Sequence, residues 1–175
     1  MSSSTDPGQA PEACGYSDFL DIMRGLPLFA KVPLEVSKVL AYLSRLEEFQ
    51  PGDYLVREGE HAETFYYVTC GSVVVSRMAG NEPVVLRRFV AGECLGGLAL
   101  ILGGRSLYTL QAETQTSAMT LGREQFLKTV QRFPQVEPAM LQSLAEHVLA
   151  WEERFLTRHP EQFAQFGQDF GLTLY

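Results

Sequence analysis

The chain has 175 residues, 46% hydrophobic and 20% charged, with a formal net charge of −7. That length supports one domain with a sizeable core, and the acidic balance argues against a surface that coats DNA or RNA. No apolar run approaches the ~20 residues that span a bilayer, so no membrane association is expected.

Residues 1–15 are rich in Ser, Pro and Gly and are expected to form a disordered lead-in. They lack a basic segment followed by an apolar core, so no signal peptide is expected. From Tyr16 the residues Phe19, Leu20, Ile22 and Met23 recur at helical spacing, with Ser17 as the cap. Gly25 and Pro27 stop that helix, and Leu28-Phe29 forms an apolar anchor. Pro33 opens a second helix with Val36, Val39, Leu40 and Leu43 on one face.

After Leu46 the period shortens from helical to strand-like. Pro51-Gly52-Asp53 and Glu58-Gly59-Glu60 are turns around a short strand, Tyr54-Leu55-Val56. Thr64 to Thr69, Val73-Val74-Val75 and Val84 to Val90 are β-branched or aromatic runs separated by Gly71 and Gly80-Asn81. Short strands with regular glycine punctuation predict an antiparallel barrel or jelly roll.

The stretch from Gly92 to Thr114, GECLGGLALILGGRSLYTLQAET, stands at the centre of the chain. Gly96 and Gly97 enter a short apolar segment, Leu98 to Leu102, and Gly103-Gly104-Arg105-Ser106 turns into the next strand. Unpartnered amides at the start of a short helix suit an anion, and glycine lets the backbone approach one closely. Arg105 could add a fixed positive charge, or lie solvated beside a buried turn. Tyr108 to Ala112 and Ser117 to Leu121 read as two more strands, and Arg123 begins a short helix with Phe126, Leu127 and Val130. A longer helix is expected over 137–157. Its apolar positions Met140, Leu141, Leu144, Val148, Trp151 and Phe155 keep three- and four-residue spacing. The segment 158–175 carries Phe163, Phe166, Phe170 and Tyr175, and is either a frayed end or a lid over the pocket.

Cys14, Cys70 and Cys94 are odd in number and widely spaced, which fits free thiols in a reducing cytoplasm. His61, His147 and His159 form no ligand cluster with cysteines or carboxylates, so no metal site is expected. No nucleophile–base pair or paired carboxylates stand at interpretable spacing, so no enzymatic activity is expected.

Several of these motifs, taken in order, resemble the cyclic-nucleotide-binding domain, the β-roll sensor of catabolite-activator-type regulators, kinase regulatory subunits and gated channels. They are Leu28-Phe29, Pro51-Gly52-Asp53, Glu58-Gly59-Glu60, Tyr67-Val68-Thr69-Cys70-Gly71, Gly92-Glu93 and Gly96-Gly97-Leu98-Ala99-Leu100. The resemblance covers Leu28 to Phe155. It implies an α+β fold: an antiparallel β-roll, a jelly-roll-like barrel of about eight strands, flanked by N-terminal helices and a long C-terminal helix. The domain would occupy 16–157, followed by the aromatic tail 158–175.

In that family a cassette of the form Gly-Glu-Leu-Ala-Leu is followed by a loop and then Arg-Ala or Arg-Ser. The glutamate contacts the ribose 2′-hydroxyl, and the arginine and cassette amides hold the cyclic phosphate. Here Gly96, Leu98, Ala99 and Leu100 match, but Gly97 holds the glutamate position. Counted back from Thr109-Leu110-Gln111-Ala112, the arginine position falls on Ser106, and Arg105 lies one residue early. In an extended segment that offset turns a side chain to the opposite face, although a loop of different length could still bring Arg105 inward.

The resemblance thus implies a ligand site of Gly96, Gly97, Leu98, Ala99, Leu100, Arg105, Ser106 and Tyr108, with Val73, Val75 and Leu86 on its apolar side. Cyclic AMP and cyclic GMP are the candidate ligands, alongside other small anions. Losing both polar contacts would weaken a cyclic nucleotide by about two to four orders of magnitude.

Two functions follow: a stand-alone cytoplasmic sensor module, or a degenerate domain that regulates a signalling protein by contact. Homodimerisation through helix 137–157 is compatible with either. About eighteen residues follow Thr157, too few for a helix-turn-helix, so direct transcription control is not expected.

Overall fold

In the computed structural model, residues 16–159 and 161 are described. Glycines with left-handed backbone at Gly52, Gly59, Gly71, Gly80 and Gly92 divide the middle of the chain into short strands. Those strands are β1 (Arg45–Phe49), β2 (Tyr54–Val56), β3 (Thr64–Cys70), β4 (Ser72–Ala79), β5 (Glu82–Val90), β6 (Cys94–Leu95), β7 (Thr109–Ala112) and β8 (Thr116–Gly122). They form two antiparallel four-stranded sheets, ordered β1-β8-β3-β6 and β2-β7-β4-β5. The expected eight-stranded β-roll is therefore present.

The helices are α1 (Tyr16–Gly25), α2 (Leu34–Leu43), α3 (Gly97–Ile101), α4 (Arg123–Arg132) and α5 (Val136–Arg158), with a 3-10 turn at Pro27–Phe29. Helix α1 already includes Tyr16, so Ser17 falls inside its first turn and not ahead of it as a cap. The strand-like run after Leu46 is β1, which also takes in Arg45. Strands β4 and β5 extend beyond the apolar runs that announced them, because cross-strand pairing continues through Ser76-Arg77-Met78-Ala79 to the turn at Gly80. The expected lead-in and the rings Phe163, Phe166, Phe170 and Tyr175 lie outside the described residues.

Two apolar cores meet at β3, whose alternation sends neighbouring side chains to opposite faces. Phe65 faces the helices and packs edge-to-face on Phe29, with ring centroids 5.7 Å apart. Met23, Leu40, Leu121, Phe126 and Met140 join it there. Tyr66 and Val68 instead face the barrel interior, with Val56, Val73, Val75, Leu95 and Leu110.

The apolar series on α5 does not form one covered face. Met140 is fully buried, whereas Leu141, Val148 and Trp151 are exposed. The helix packs on the 3-10 turn, places Val136 and Met140 in the helical core, and is held by a Lys31–Glu146 ion pair.

The β3–β4 turn depends on glycine. At Gly71 the backbone is left-handed (φ +83°), and an added Cβ would sit 2.3 Å from the Gln115 carbonyl oxygen. At Gly80 the backbone is also left-handed (φ +66°), but nothing lies within 4 Å of the same position. Gly80→Ala should therefore cost only the conformational penalty of about 1–2 kcal/mol. Gly71→Ala should cost at least a further ~1 kcal/mol, because backbone must move. Urea denaturation of both variants measures the difference; equal losses would show that the Gln115 contact relaxes freely.

Candidate functional site

The cassette is fixed to β3 by a close approach of backbones. Gly96 is left-handed (φ +76°), and an added Cβ would lie 2.4 Å from the Thr64 carbonyl oxygen. Helix α3 starts directly after it. Within its five residues the side chains diverge: Leu100 is fully buried in the helical core, and Leu98 is exposed on the other side. Gly103 and Gly104, both left-handed, reverse the chain after the helix. An Arg123 guanidinium N–H donates to the Ile101 carbonyl at 3.3 Å, meeting one of the carbonyls left free where α3 ends.

The returning segment is bound to the β2–β3 connection. The Ala62 amide donates to the Gly104 carbonyl, the Ser106 amide to the Glu60 carbonyl and the Gly59 amide to the Ser106 carbonyl, each at 2.8 Å. His61 and Arg105 form an isolated antiparallel bridge within this ribbon. It sets the register of Arg105 and Ser106, both of which reach the same cavity. Ser106 is buried, and its hydroxyl donates to the Tyr108 carbonyl at 2.6 Å. Arg105 is exposed, and its Nη1 donates to the Gly59 carbonyl at 2.7 Å. No carboxylate lies within ion-pair distance of Arg105 among the described residues.

Between cassette and barrel lies a cavity of about 860 Å³, a size typical of small-molecule sites. Gly96, Gly97, Leu98, Ala99, Arg105, Ser106 and Tyr108 all line it. Leu100 does not, because it points into the helical core. Val75 and Leu86 line the cavity as expected, and Val73 belongs to the barrel core instead.

Several lining residues escaped the sequence reading: His61, Glu63, Cys94, Arg87 and Phe89. Strand alternation along β5 places Arg87 and Phe89 on one face, and that was the available signal. Arg87 stacks on Phe89, with Cζ 4.4 Å from the ring centroid, and pairs with the Glu93 carboxylate.

Burial pushes the Tyr66 phenol up, which keeps it neutral while its hydroxyl donates to the Leu55 carbonyl at 3.0 Å. Burial also pushes the Cys94 thiol up, which disfavours the reactive thiolate. At Gly97 an added Cβ would stand 3.0 Å from Leu28 Cδ2, so an apolar side chain lies against the position of the family's acid. Among the described residues no group of His, Cys, Asp or Glu could hold a metal ion. No helix among them is long and apolar enough to cross a membrane.

The cyclic nucleotide-binding domain model matches residues 46–133. The human potassium/sodium hyperpolarization-activated cyclic nucleotide-gated channel 4 is 29% identical over 119 residues, 67% of this chain and 10% of the channel. Mouse cGMP-dependent protein kinase 2 is 27% identical over 124 residues, 69% of this chain and 16% of the kinase. The chain therefore spans only a small part of these relatives. Among solved structures, the N-terminal domain of a transcriptional regulator from Streptomyces coelicolor A3(2) superposes with a TM-score of 0.67 at 27% identity. That match covers 76% of this chain and 96% of the other. The β-roll, the glycine-framed cassette and these matches agree: the chain belongs to the cyclic nucleotide-binding domain family.

Proposed function

We propose that the chain is a regulatory sensor module that takes up a small anionic ligand in the cassette cavity, and that cyclic AMP and cyclic GMP bind there only weakly. The observation that carries this reading is the convergence of seven expected site residues on one roughly 860 Å³ cavity with a cation at its mouth. Arg105 has five N–H donors, of which Nη1 already serves Gly59. Four remain for an anion. The module works by binding and not by catalysis, and a reducing, cytoplasmic setting agrees with the free thiols of Cys70 and Cys94.

Weak cyclic-nucleotide binding follows from the two changed positions. Gly97 offers no side-chain acceptor to a ribose hydroxyl, and the Ser106 hydroxyl is engaged by its own turn. Both changes are reversible in principle. Gly97 is not left-handed, and the atom facing its absent Cβ is the tip of a flexible leucine. Restoring each charge-assisted contact is worth about 1.5–3 kcal/mol, or about 10- to 100-fold in affinity. Isothermal calorimetry should therefore record near-millimolar cyclic AMP binding for the natural chain and about 100-fold or more tighter binding for Gly97→Glu with Ser106→Arg. No gain in the double variant would mean that the cassette backbone cannot hold a cyclic phosphate.

A second reading rests on α5. Leu141, Leu144, Val148, Trp151 and Phe155 follow a three-four spacing, the seam of a two-stranded coiled coil. Trp151 stacks on Phe155 with ring centroids 5.3 Å apart, and Leu141, Val148 and Trp151 are exposed. This supports homodimerisation through α5, with docking on a signalling protein as the alternative use of the same face. Sedimentation velocity should find a dimer that Leu141→Glu with Val148→Glu converts to monomer at unchanged melting temperature. A monomer at high micromolar concentration in the unsubstituted chain would remove the dimer reading.

A further inference from the structure

The mouth of the cavity is framed by four leucines that face solvent. Leu86 is 57% exposed, Leu98 57%, Leu102 74% and Leu107 69%, and all four line the cavity. They come from β5, from α3 and its C-terminal cap, and from the loop before β7, so the rim is assembled by the fold and not by one greasy segment. Below it the wall continues with Val56, Val75, Leu95 and Leu110. Contiguous exposed apolar surface around a concave site marks a site for apolar matter.

The polar groups point the same way. Arg87 is matched by the Glu93 carboxylate. The Ser106 hydroxyl donates to the Tyr108 carbonyl, and the Tyr108 amide approaches it at 3.4 Å. Gly97 presents no side-chain acceptor, and a Cβ there would meet the tip of Leu28. A ribose diol buried here would meet no acceptor at the acid's position, and an unpaired buried polar group is costly. Arg105 is the cation of the lining without a carboxylate partner among the described residues. Glu63 also belongs to the lining, and its negative charge disfavours a ligand with more than one anionic group.

We propose that the ligand suited to this cavity is an amphipathic carboxylate. Its alkyl or aryl-alkyl body would lie along Leu86, Leu98, Leu102 and Leu107, and its single carboxylate would accept hydrogen bonds from Arg105. The inference rests on the sensor reading above and names the ligand class for the same cavity. The guanidinium supplies a planar, bidentate partner for a carboxylate. The leucines supply affinity that grows with chain length.

The test is calorimetry of the full chain with hexanoate, octanoate, decanoate, decanol, cyclic AMP and cyclic GMP. The acids should bind one-to-one, tightening by up to about fourfold per added methylene. Decanoate should bind about tenfold or more tighter than decanol, and tighter than cyclic AMP. Arg105→Gln should remove decanoate's advantage over decanol without changing decanol itself, and Arg105→Lys should restore part of it. A flat chain-length series, equal binding of acid and alcohol, or an unaffected Arg105→Gln would overturn the proposal. Micromolar cyclic-nucleotide binding without binding of the acids would overturn it, together with the weak binding expected of cyclic nucleotides, and leave the chain a sensor module of another ligand class. If none of the compounds binds, the sensor reading fails as well.

Discussion

The contact between Gly96 and the Thr64 carbonyl is the constraint on which the site depends. No side chain fits there, because an added Cβ would sit 2.4 Å from a backbone oxygen. The cassette therefore lies directly on β3, the strand whose two faces serve the two cores. Close approach at that point lets α3 send Leu100 into the helical core while Leu98 stays at the cavity mouth. A bulkier residue at position 96 would lift the cassette away from β3, opening the cavity floor and unseating Leu100 together.

How far the sequence carried the reading depends on the kind of signal. The barrel was legible because its glycines occupy left-handed turns that few other residues tolerate, and those positions can be read one by one. The departures at Gly97 and Ser106 were legible by counting along the cassette. Burial direction within α3 was not. Leu98, Leu100 and Leu102 are the same residue at adjacent even positions, yet only Leu100 is buried. The helix is too short for periodicity to choose its inward face, so Leu100 entered the expected site beside Leu98, while Leu102 and Leu107 of the rim were left out. Likewise the α5 series had the spacing of a core-facing stripe, yet the fold buries Met140 and leaves Leu141, Val148 and Trp151 exposed. A three-four spacing says that residues share a face and not what covers it.

The cavity also separates two kinds of interaction that a sequence shows as equal. The Arg87–Glu93 pair has side chains 60% and 32% exposed, and such surface pairs contribute about 0–1 kcal/mol. The apolar wall can contribute more, since each methylene moved out of water is worth about 0.8 kcal/mol. Selectivity in this pocket should therefore follow ligand shape and apolar area first, with charge deciding orientation. That ordering is the reverse of a site built around a buried acid and a buried arginine.

Under the sensor reading, the short cassette helix would give binding a mechanical outlet. Leu98 and Leu100 stand two residues apart on a five-residue helix, and close-packed interiors transmit displacement better than they absorb it. Leu100 shares its core with Val136 and Met140 of α5. A ligand pressing on Leu98 would thus act on the same packing that holds the first turns of α5. It can shift α5 only by the difference in its affinity for the two arrangements of that core. The face of α5 that carries Leu141, Val148 and Trp151 is exposed, and it is where such a shift would meet a partner. Under the sensor reading, cavity and helix face would be linked through the core that Leu100 shares with Val136 and Met140.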